Sequence, residues 1–230
     1  MNASYDTYIF DYYGTLLDSY NDEKSLIYWE RWLSVLDDMG IKHPEAKVFL
    51  KEFFDMDKAY RIKITKDRGF KYPEVNIIDV YRDILDGYGN GILSNTILNE
   101  VAYAFREATR EYIKLYPGVT EYLVRLKKLG KKVYILSNAQ RSYTYPEITM
   151  FGVDKLVDGI MISSDIGCMK PETYLYEQLF SRFNISKEKA VMIGDSLESD
   201  VAGAKSFGID YIHLVGANKA ELFFTKELEE

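Results

Sequence analysis

The hydrophobic and polar positions divide the chain into three parts. A short apolar run at residues 8–10 ends in a polar turn at residues 11–15. Residues from about 19 to 115 carry apolar side chains at spacings of three and four, the period of an amphipathic helix. From residue 116 onward, short apolar runs alternate with helical stretches. This order predicts one strand, then a block of helices, then alternating strands and helices.

The helical block is expected to contain four helices. Their predicted spans, set by capping residues, prolines and glycines, are residues 21–40, 44–65, 73–87 and 96–115. Residues 66–70 are polar and are expected to form a loop. Because no strand-like apolar run interrupts the block, we predict that it is almost purely helical and is inserted directly after the first strand.

The rest of the chain predicts a parallel sheet. Strands are expected at residues 132–136, 159–162, 190–194 and 211–214. Apolar strands that alternate with helices form parallel sheets with helices on both faces. We therefore predict an α/β fold with a doubly wound parallel sheet. Residues 1–18 and 116–230 are assigned to this core, and residues 19–115 to the inserted all-helical domain.

The composition argues against several kinds of partner and site. The chain has 230 residues and a net charge of −7. A protein that binds duplex nucleic acid normally presents a basic face, so we expect no nucleic-acid partner. The two histidines, His43 and His213, have no neighbours at metal-ligand spacing. This argues against a zinc site and against a Ser-His-Asp triad.

The sequence also predicts a cytoplasmic protein. Residues 1–6 lack the basic region and apolar run of a secretory signal. No apolar stretch reaches the roughly 20 residues needed to span a bilayer, so we expect no membrane partner. The single cysteine, Cys168, cannot form an internal disulfide, which suits a reducing compartment, and we expect it to be a packed thiol. A monomer or a homodimer is expected.

Polar side chains follow three of the predicted strands, at the point where each strand ends. They are Asp11, Ser137 with Asn138, and Asp195 with Ser196 and Asp200. The carboxyl ends of parallel strands lie along one edge of a sheet, so we expect these groups to converge in one crevice. Lys170, which precedes Pro171 at the start of a predicted helix, can reach the same edge.

The predicted crevice has the chemistry of a metal and anion site. Crowded aspartates repel one another unless a cation lies among them, and carboxylate and carbonyl oxygens with water suit Mg²⁺. Lys170 and the Ser137 hydroxyl would then hold an anion, such as a phosphoryl group, beside the metal. We therefore expect Mg²⁺ as the cofactor and a small phosphorylated molecule as the substrate.

Four segments resemble the motifs of the haloacid dehalogenase-like hydrolase superfamily. They are Asp11-Tyr12-Tyr13-Gly14-Thr15, Ser137-Asn138, Lys170-Pro171 and Gly194-Asp195-Ser196-Leu197-Glu198-Ser199-Asp200. The helical block resembles the cap domain of that family, and the sheet resembles its Rossmann-like core. Because the resemblance covers nearly the whole chain, it implies a hydrolase with a helical cap over a catalytic core.

The resemblance implies that catalysis begins at Asp11. This residue would be the nucleophile and would form an aspartyl-phosphate, with Lys170 beside it. Ser137, Asn138 and Lys170 would bind the phosphoryl group of the substrate. The implied ligands of Mg²⁺ are Asp11, Asp195 and the backbone carbonyl of Tyr13. The supporting residues would be Thr15, Ser196 and Asp200, the last by positioning Lys170 or a metal-bound water.

One position departs from the phosphatase pattern. Phosphatases of the superfamily usually carry Asp two residues after the nucleophile, as a general acid and base, whereas this chain has Tyr13. A phenol with a pKa of about 10 cannot act as a base near pH 7, so we expect weakened acid/base function. The Asp-x-Tyr-Gly-Thr pattern resembles instead that of the 2-haloacid dehalogenases, which use the aspartate without a metal.

The fourth motif favours the phosphatase reaction. Dehalogenases have Ser where this chain has Asp195, and Asp195 is most useful as a metal ligand. The prediction is therefore a Mg²⁺-dependent phosphatase that acts through Asp11, with two alternatives. One is a metal-independent 2-haloacid dehalogenase, and the other is a catalytically weak binding protein of the same fold.

The cap is expected to close over the crevice and to set the choice of substrate. Its candidate contacts are the basic residues Arg61, Lys63, Lys66 and Arg68. The alternative is that these four charges lie on a solvated helix face.

Overall fold

The predicted α/β architecture is confirmed by the computed structural model, which describes residues 5–215, 220 and 223–226. Its strands are β1 (Thr7–Phe10), β2 (Leu17–Asn21), β3 (Arg110–Leu115), β4 (Lys132–Ser137), β5 (Gly159–Ile162), β6 (Ala190–Gly194) and β7 (Asp210–His213). Five of these strands form a parallel sheet in the order β5-β4-β1-β6-β7. The other two, β2 and β3, form an antiparallel ribbon.

The central strand of the main sheet is β1. It lies between β4 and β6, with Phe10 opposite Ile135 on one side and Ile193 on the other. β1 ends one residue before Asp11, and β6 ends one residue before Asp195. Because all three strands are parallel, their carboxyl ends lie next to one another at one edge of the sheet.

The helices of the described residues follow the predicted alternation. They are α1 (Leu26–Asp38), α2 (Ala46–Arg68), α3 (Ile77–Gly87), α4 (Asn95–Thr109), α5 (Val119–Lys128), α6 (Arg141–Met150), α7 (Ser163–Ile166), α8 (Thr173–Phe183) and α9 (Ala202–Phe207). A π-helical turn, Leu197–Val201, leads directly into α9. No helix among these is both long enough and apolar enough to cross a membrane.

Helices cover both faces of the main sheet. Side chains alternate between the two faces along a strand, so neighbouring residues of β1 enter different clusters. Phe10 packs with Tyr122 of α5 in one hydrophobic cluster, whereas Ile9 packs with Leu179 of α8 in another. The sheet is therefore buried on both sides, as the apolar strands predicted.

Helices α1 to α4, residues 26–109, form a helical unit with its own hydrophobic cluster. Aromatic rings dominate this cluster. The Trp32 ring centroid lies 4.9 Å from that of Phe49 and 5.2 Å from that of Phe105, and all three side chains are buried. A separate cluster lets the helical unit hold its own shape beside the sheet.

The fourth helix of the helical unit is shorter than predicted. α4 ends at Thr109, and residues 110–115 form β3, which pairs antiparallel with β2. The prediction of an almost purely helical segment from residue 19 to residue 115 was therefore wrong at both ends. The ribbon of β2 and β3 carries the chain into and out of the helical unit.

Two other boundaries differ from the prediction. α2 continues to Arg68 and includes part of the predicted loop. The helix ends there because the next residue, Gly69, adopts a left-handed conformation with φ of 73°. α3 begins at Ile77 instead of Pro73, and the Asn76 side chain caps it by accepting a hydrogen bond from the Ile78 backbone N–H at 3.1 Å.

Candidate active site

Asp11 lies at the carboxyl end of the central strand. Its backbone N–H donates to the Ile193 carbonyl of β6 at 2.9 Å, which continues the sheet by one residue. Its side chain is buried, with the residue 8% exposed. Burial raises the pKa of Asp11 to about 7, and the carboxylates of Asp200 and Asp195 add to this shift while Lys170 opposes it.

Lys170 pairs with two of the carboxylates. Its Nζ lies 2.7 Å from Asp11 Oδ1 and 2.7 Å from Asp200 Oδ1, and it donates to the Leu136 carbonyl of β4 at 2.7 Å. Lys170 is only 2% exposed. Burial alone would lower its pKa, but the two carboxylates outweigh burial and raise it. The ammonium group is therefore a fixed positive charge at the edge of the sheet.

Asn138 holds the backbone of Lys170. The Asn138 side-chain amide donates to the Lys170 carbonyl at 2.9 Å, and its Oδ1 accepts from the Lys170 N–H at 2.7 Å. Both polar ends of the side chain are therefore used within the protein. The side chain therefore fixes the position of Lys170, and the contact of Asn138 with substrate stays a prediction.

Asp200 is held in place by the turn that follows β6. Its Oδ2 accepts from the Ser196 N–H at 3.0 Å, and Ser196 in turn caps the π-helical turn by accepting from the Ser199 N–H at 3.2 Å. A Cβ on Gly194 would lie 2.2 Å from Asp200 Oδ2. Only glycine at position 194 therefore lets Asp200 reach Lys170.

Asp195 is the most exposed carboxylate of the site. Its Oδ1 accepts from the Thr15 hydroxyl at 3.3 Å, and a Cβ on Gly14 would lie 2.6 Å from its Oδ2. Gly14 also has φ of 79°, which favours glycine. His213 Nε2 lies 3.0 Å from the Asp195 carbonyl oxygen. Local sequence patterns could not predict this contact, because His213 is 18 residues from Asp195.

The donor set fits a divalent metal ion. Asp11, Asp195 and Asp200 each offer a carboxylate oxygen, and the three oxygens lie within 4.8 Å of one another. Lys170 is the charged group that the structure places between two of them. Three carboxylates beside one ammonium group leave an excess of negative charge, and hard oxygen ligands of this kind suit Mg²⁺. The backbone carbonyl of Tyr13 stays a predicted ligand.

Ser137 offers an unpaired donor at the same edge. Its residue is 1% exposed, and its hydroxyl has no hydrogen-bond partner in the part of the chain that the structure describes. A buried polar group without a partner is costly, so such a group usually has a ligand or water to bind. The hydroxyl therefore fits the predicted contact with a phosphoryl oxygen.

Tyr13 does not present its phenol as a free acid/base group. The hydroxyl donates to Glu147 Oε2 of α6 at 2.5 Å and lies 3.1 Å from Thr144 Oγ1. Burial raises the pKa of Tyr13 well above its usual value. Both observations are consistent with the expectation that the phenol does not act as a base near pH 7, because its hydroxyl is engaged as the donor of a hydrogen bond to Glu147. A catalytic role for Tyr13 stays a prediction.

Glu147 is the centre of a buried polar network that sequence reasoning missed. It is fully buried, and its Oε1 accepts from Arg106 Nε of α4 at 2.9 Å. The Arg106 guanidinium lies over the Tyr13 ring, with its carbon 5.0 Å from the ring centroid, and 3.6 Å from the Glu23 carboxylate. The network therefore joins the loop after Asp11, the sheet core and the helical unit.

Tyr13→Phe is expected to lower the free energy of unfolding by about 1–3 kcal/mol, the cost of leaving a buried hydrogen-bonding group without a partner. The reason is that Glu147 would stay buried and lose its phenol donor. Urea denaturation of the purified variant measures the effect. The matched control is Tyr145→Phe, on the exposed face of the same helix, which should change stability by less than about 0.5 kcal/mol. Equal stability of the two variants would contradict the role of this hydrogen bond.

A cavity of about 280 Å³ lies between the helical unit and the motif residues after β4. Its lining from the sheet core is Asn138, Ala139, Gln140, Tyr143 and Met169, and its lining from the other side is Glu23, Phe53, Phe54, Asp57, Arg61, Glu74, Val75, Ile77 and Val80. We call it the inter-unit cavity. Through Asn138 the cavity borders the motif that follows β4.

The four basic residues proposed as cap contacts have different surroundings. Arg61 lines the inter-unit cavity and pairs with Asp57 and Glu74. Arg68 donates to the Ile166 carbonyl at 2.7 Å and so contacts the core. The remaining two, Lys63 and Lys66, are exposed, as expected for a solvated face. Of these four residues, Arg61 is the one that lines the inter-unit cavity. It is therefore the best candidate of the four for a contact with substrate.

Cys168 is a packed thiol, as predicted. It is fully buried in the hydrophobic cluster that contains Ile9. Burial raises the pKa of its thiol to about 12. Because the thiolate is the reactive form, this cysteine is chemically unreactive near neutral pH.

Known proteins resemble this chain in both sequence and fold. Residues 5–208 match the family model described as haloacid dehalogenase-like hydrolase. A relative from Pyrococcus furiosus named glyceraldehyde 3-phosphate phosphatase is 30% identical over 73% of this chain and 68% of its own length. The crystal structure of a haloacid dehalogenase-type phosphatase from Thermococcus onnurineus is 20% identical, covers 97% of each chain and has a TM-score of 0.57.

A solved dehalogenase is similar to the same degree. It is 17% identical, covers 98% of each chain and also has a TM-score of 0.57. At these identities the two solved structures show a shared fold and do not separate the two reactions. The family model covers most of the chain, however, and all four of its recognisable motifs meet at one edge of the sheet. The chain belongs to the haloacid dehalogenase-like hydrolase family.

Proposed function

We propose that this protein is a Mg²⁺-dependent phosphatase that acts on a small phosphorylated metabolite through an aspartyl-phosphate on Asp11. The observation that carries the proposal is the position of Asp195. Its carboxylate lies with those of Asp11 and Asp200 in one cluster that also contains the Lys170 ammonium group. A reaction without a metal has no use for the extra negative charge of Asp195.

The reaction begins at the Asp11 carboxylate. An oxygen of Asp11 attacks phosphorus, and the bond from phosphorus to the ester oxygen breaks. Lys170 and the Ser137 hydroxyl donate hydrogen bonds to the phosphoryl oxygens, where negative charge accumulates. Water then attacks the aspartyl-phosphate, which releases phosphate and restores the carboxylate.

The metal would be held by Asp11 and Asp195, with the Tyr13 carbonyl as a further ligand. When bound, Mg²⁺ neutralises the carboxylates and the phosphoryl group so that the two anions can approach. Asp200 keeps Lys170 in place through its ion pair at 2.7 Å. Thr15 orients Asp195 through the hydrogen bond to its Oδ1.

The helical unit acts as a cap in this proposal. The chain passes into it and out of it through the β2–β3 ribbon, so we place the boundary between core and cap there. The small volume of the inter-unit cavity supports a small metabolite as the substrate. The name of the relative from Pyrococcus furiosus, glyceraldehyde 3-phosphate phosphatase, supports the same class of substrate.

Turnover of 4-nitrophenyl phosphate is expected to depend fully on Mg²⁺. Excess EDTA should stop the reaction, and added Mg²⁺ should restore it. Asp195→Ser should raise the Mg²⁺ concentration for half-maximal rate by at least about tenfold, since even indirect supports of metal ligands contribute that much. Undiminished turnover in EDTA would contradict the proposal.

The dehalogenase reaction stays as the second candidate because of Tyr13. The same assay, run with 2-haloacids and read as halide release, tests it directly. Halide release that is insensitive to EDTA, without any release of phosphate from esters, would favour this candidate. If the protein shows neither activity, this result would favour the third candidate, a binding protein of the same fold.

A further inference from the structure

The position of Tyr13 leaves the proposed phosphatase reaction without its usual proton donor. An alkoxide or phenolate that departs from phosphorus needs a proton, and a general acid must lie within hydrogen-bond reach of it or one water away. The Tyr13 phenol is buried and donates to Glu147. Another group that faces the substrate must therefore supply the proton.

Three carboxylates line the inter-unit cavity, and two of them are already engaged. Glu74 accepts from Arg61 at 3.1 Å, from the Val75 N–H at 3.1 Å and from Ser163 at 2.9 Å. Asp57 accepts from Arg61 Nε at 2.8 Å. These two groups hold the cavity wall together and have no free role in proton transfer.

Glu23 is the third carboxylate of the cavity. Among the described residues, no donor forms a hydrogen bond to its side chain, and its closest ion pair is with Arg106, at 3.6 Å. The side chain is 49% exposed, so it is open to the cavity and to water. Asn138, directly after Ser137, lines the same cavity, so Glu23 borders the space next to the strand-end motif that contains Ser137.

We propose that Glu23 is the general acid and base of this enzyme, in place of the aspartate that Tyr13 replaces. This inference rests on the proposed phosphatase function. When Asp11 attacks, the electron pair of the broken phosphorus–oxygen bond goes to the ester oxygen, which takes the proton of Glu23 and leaves as the alcohol. In the second step the Glu23 carboxylate takes a proton from the water that attacks phosphorus. The bond between Asp11 and phosphorus breaks with its electron pair going to the Asp11 oxygen. This step releases phosphate, restores the Asp11 carboxylate and leaves Glu23 protonated for the next cycle.

The surroundings of Glu23 are consistent with a group that holds a proton. The Glu23 side chain keeps about half of its accessible surface, but the surrounding protein still partly desolvates the carboxyl group. This desolvation raises the pKa of Glu23, and Arg106 of α4 opposes the shift. The phenols of Tyr81 on α3 and Tyr143 on α6 also face it and are neutral near pH 7. The charged groups Asp57, Arg61 and Glu74 line the same cavity, where Arg61 pairs with both carboxylates. Arg106 lies closer to Glu147, at 2.9 Å, than to Glu23, at 3.6 Å. Its positive charge therefore only partly offsets the effect of desolvation on the pKa of Glu23.

Glu23→Gln, with phenyl phosphate and 4-nitrophenyl phosphate as substrates, tests the proposal. Nitrophenolate leaves without a proton, whereas phenolate needs one. The variant should lose about 10²-fold in kcat/KM with phenyl phosphate, the low end for general acid catalysis, and little with 4-nitrophenyl phosphate. Because the second step also slows, the variant should release a burst of one equivalent of nitrophenol before its steady state.

The pH dependence supplies a further readout. A general acid must be protonated, so wild-type kcat/KM with phenyl phosphate should fall as the pH rises past the pKa of Glu23. In Glu23→Gln this decline should disappear. Glu30→Gln is the matched control, since it makes the same replacement at an exposed position of α1 outside the cavity lining, and it should show neither a burst nor a changed ratio between the two substrates.

The possible failures are distinguishable. Wild-type protein that does not hydrolyse 4-nitrophenyl phosphate with Mg²⁺ would overturn the phosphatase function and this inference with it. Turnover by the wild type, with an unchanged substrate ratio and no burst in Glu23→Gln, would overturn this inference alone. Should Glu23→Gln fail to fold, Glu23→Asp keeps the charge and shortens the side chain. It should lower the phenyl phosphate rate selectively, and an equal effect on both substrates would contradict the proposal.

Discussion

Replacing Asp11 with asparagine is expected to abolish phosphatase turnover and to leave the fold intact. The amide has nearly the same size as the carboxylate but cannot attack phosphorus. Loss of a covalent nucleophile in other enzymes costs on the order of 10⁴–10⁶-fold in kcat, so the rate should fall by at least about 10⁴-fold. Steady-state assays with 4-nitrophenyl phosphate measure this loss, and mass spectrometry should find no phosphorylated intermediate.

The stability of Asp11→Asn should be equal to that of the wild type or greater. The native pKa of Asp11 is raised to about 7, whereas the unfolded carboxyl ionises at about 3.9. A raised carboxyl pKa means that the native state binds more protons, so its stability falls as the pH rises from about 4 to about 7. Asparagine does not ionise, so the variant does not lose this stability as the pH rises. The thermal midpoint of the metal-free variant above neutral pH should therefore not fall below that of the wild type.

Asp18→Asn is a suitable control for the nucleophile. Asp18 lies in the ribbon strand β2, and among the described residues its partners are the surface groups of Lys114 at 3.3 Å and Tyr112 at 3.1 Å. Exposed pairs of this kind contribute about 0–1 kcal/mol, so both stability and turnover should be nearly unchanged. Substantial activity in Asp11→Asn would contradict the aspartyl-phosphate mechanism, because no other carboxylate would have the same position.

The main sheet and the convergence of its polar ends could be predicted from the sequence. Apolar strands separated by helices have one common arrangement, and the parallel rule then brings Asp11, Ser137 and Asp195 to one edge. The ribbon could not be predicted in the same way. Its strands are short and half-exposed, and Glu111 and Lys114 continue the polar pattern of the preceding helix. A β-strand without a buried face gives no clear alternation of hydrophobic residues.

The roles of individual side chains were harder to predict than their places. Tyr13 could be placed beside the nucleophile, but its partner Glu147 is 134 residues away. Glu147 follows Pro146 within α6, in a segment with little amphipathic pattern. Asn138 directly follows a strand, and Glu23 lies just before α1. Polar residues are common at both kinds of position, so neither residue stands out in the sequence. Contacts across such distances depend on how the helical unit packs on the sheet, which local patterns do not encode.

Lys170→Met is expected to impair both stability and catalysis. Methionine fills a similar volume but leaves Asp11 and Asp200 buried beside each other without a counter-charge. Removal of one partner from a buried ion pair typically costs about 3–5 kcal/mol, and this loss should appear in urea denaturation of the metal-free protein. Lys63→Met, on the exposed face of α2, is the control and should change stability by less than about 0.5 kcal/mol.

A second substitution separates charge repulsion from lost packing. In Lys170→Met combined with Asp200→Asn, one of the two repelling carboxylates is gone, so the double variant should be less destabilised than the sum of the single effects. Added Mg²⁺ should restore part of the stability of Lys170→Met, because it would neutralise Asp11. It should not restore turnover, since the phosphoryl group would still lack the ammonium donor. A loss of stability no greater than that of Lys63→Met would mean that the ion pairs of Lys170 with Asp11 and Asp200, each at 2.7 Å, do not persist in solution.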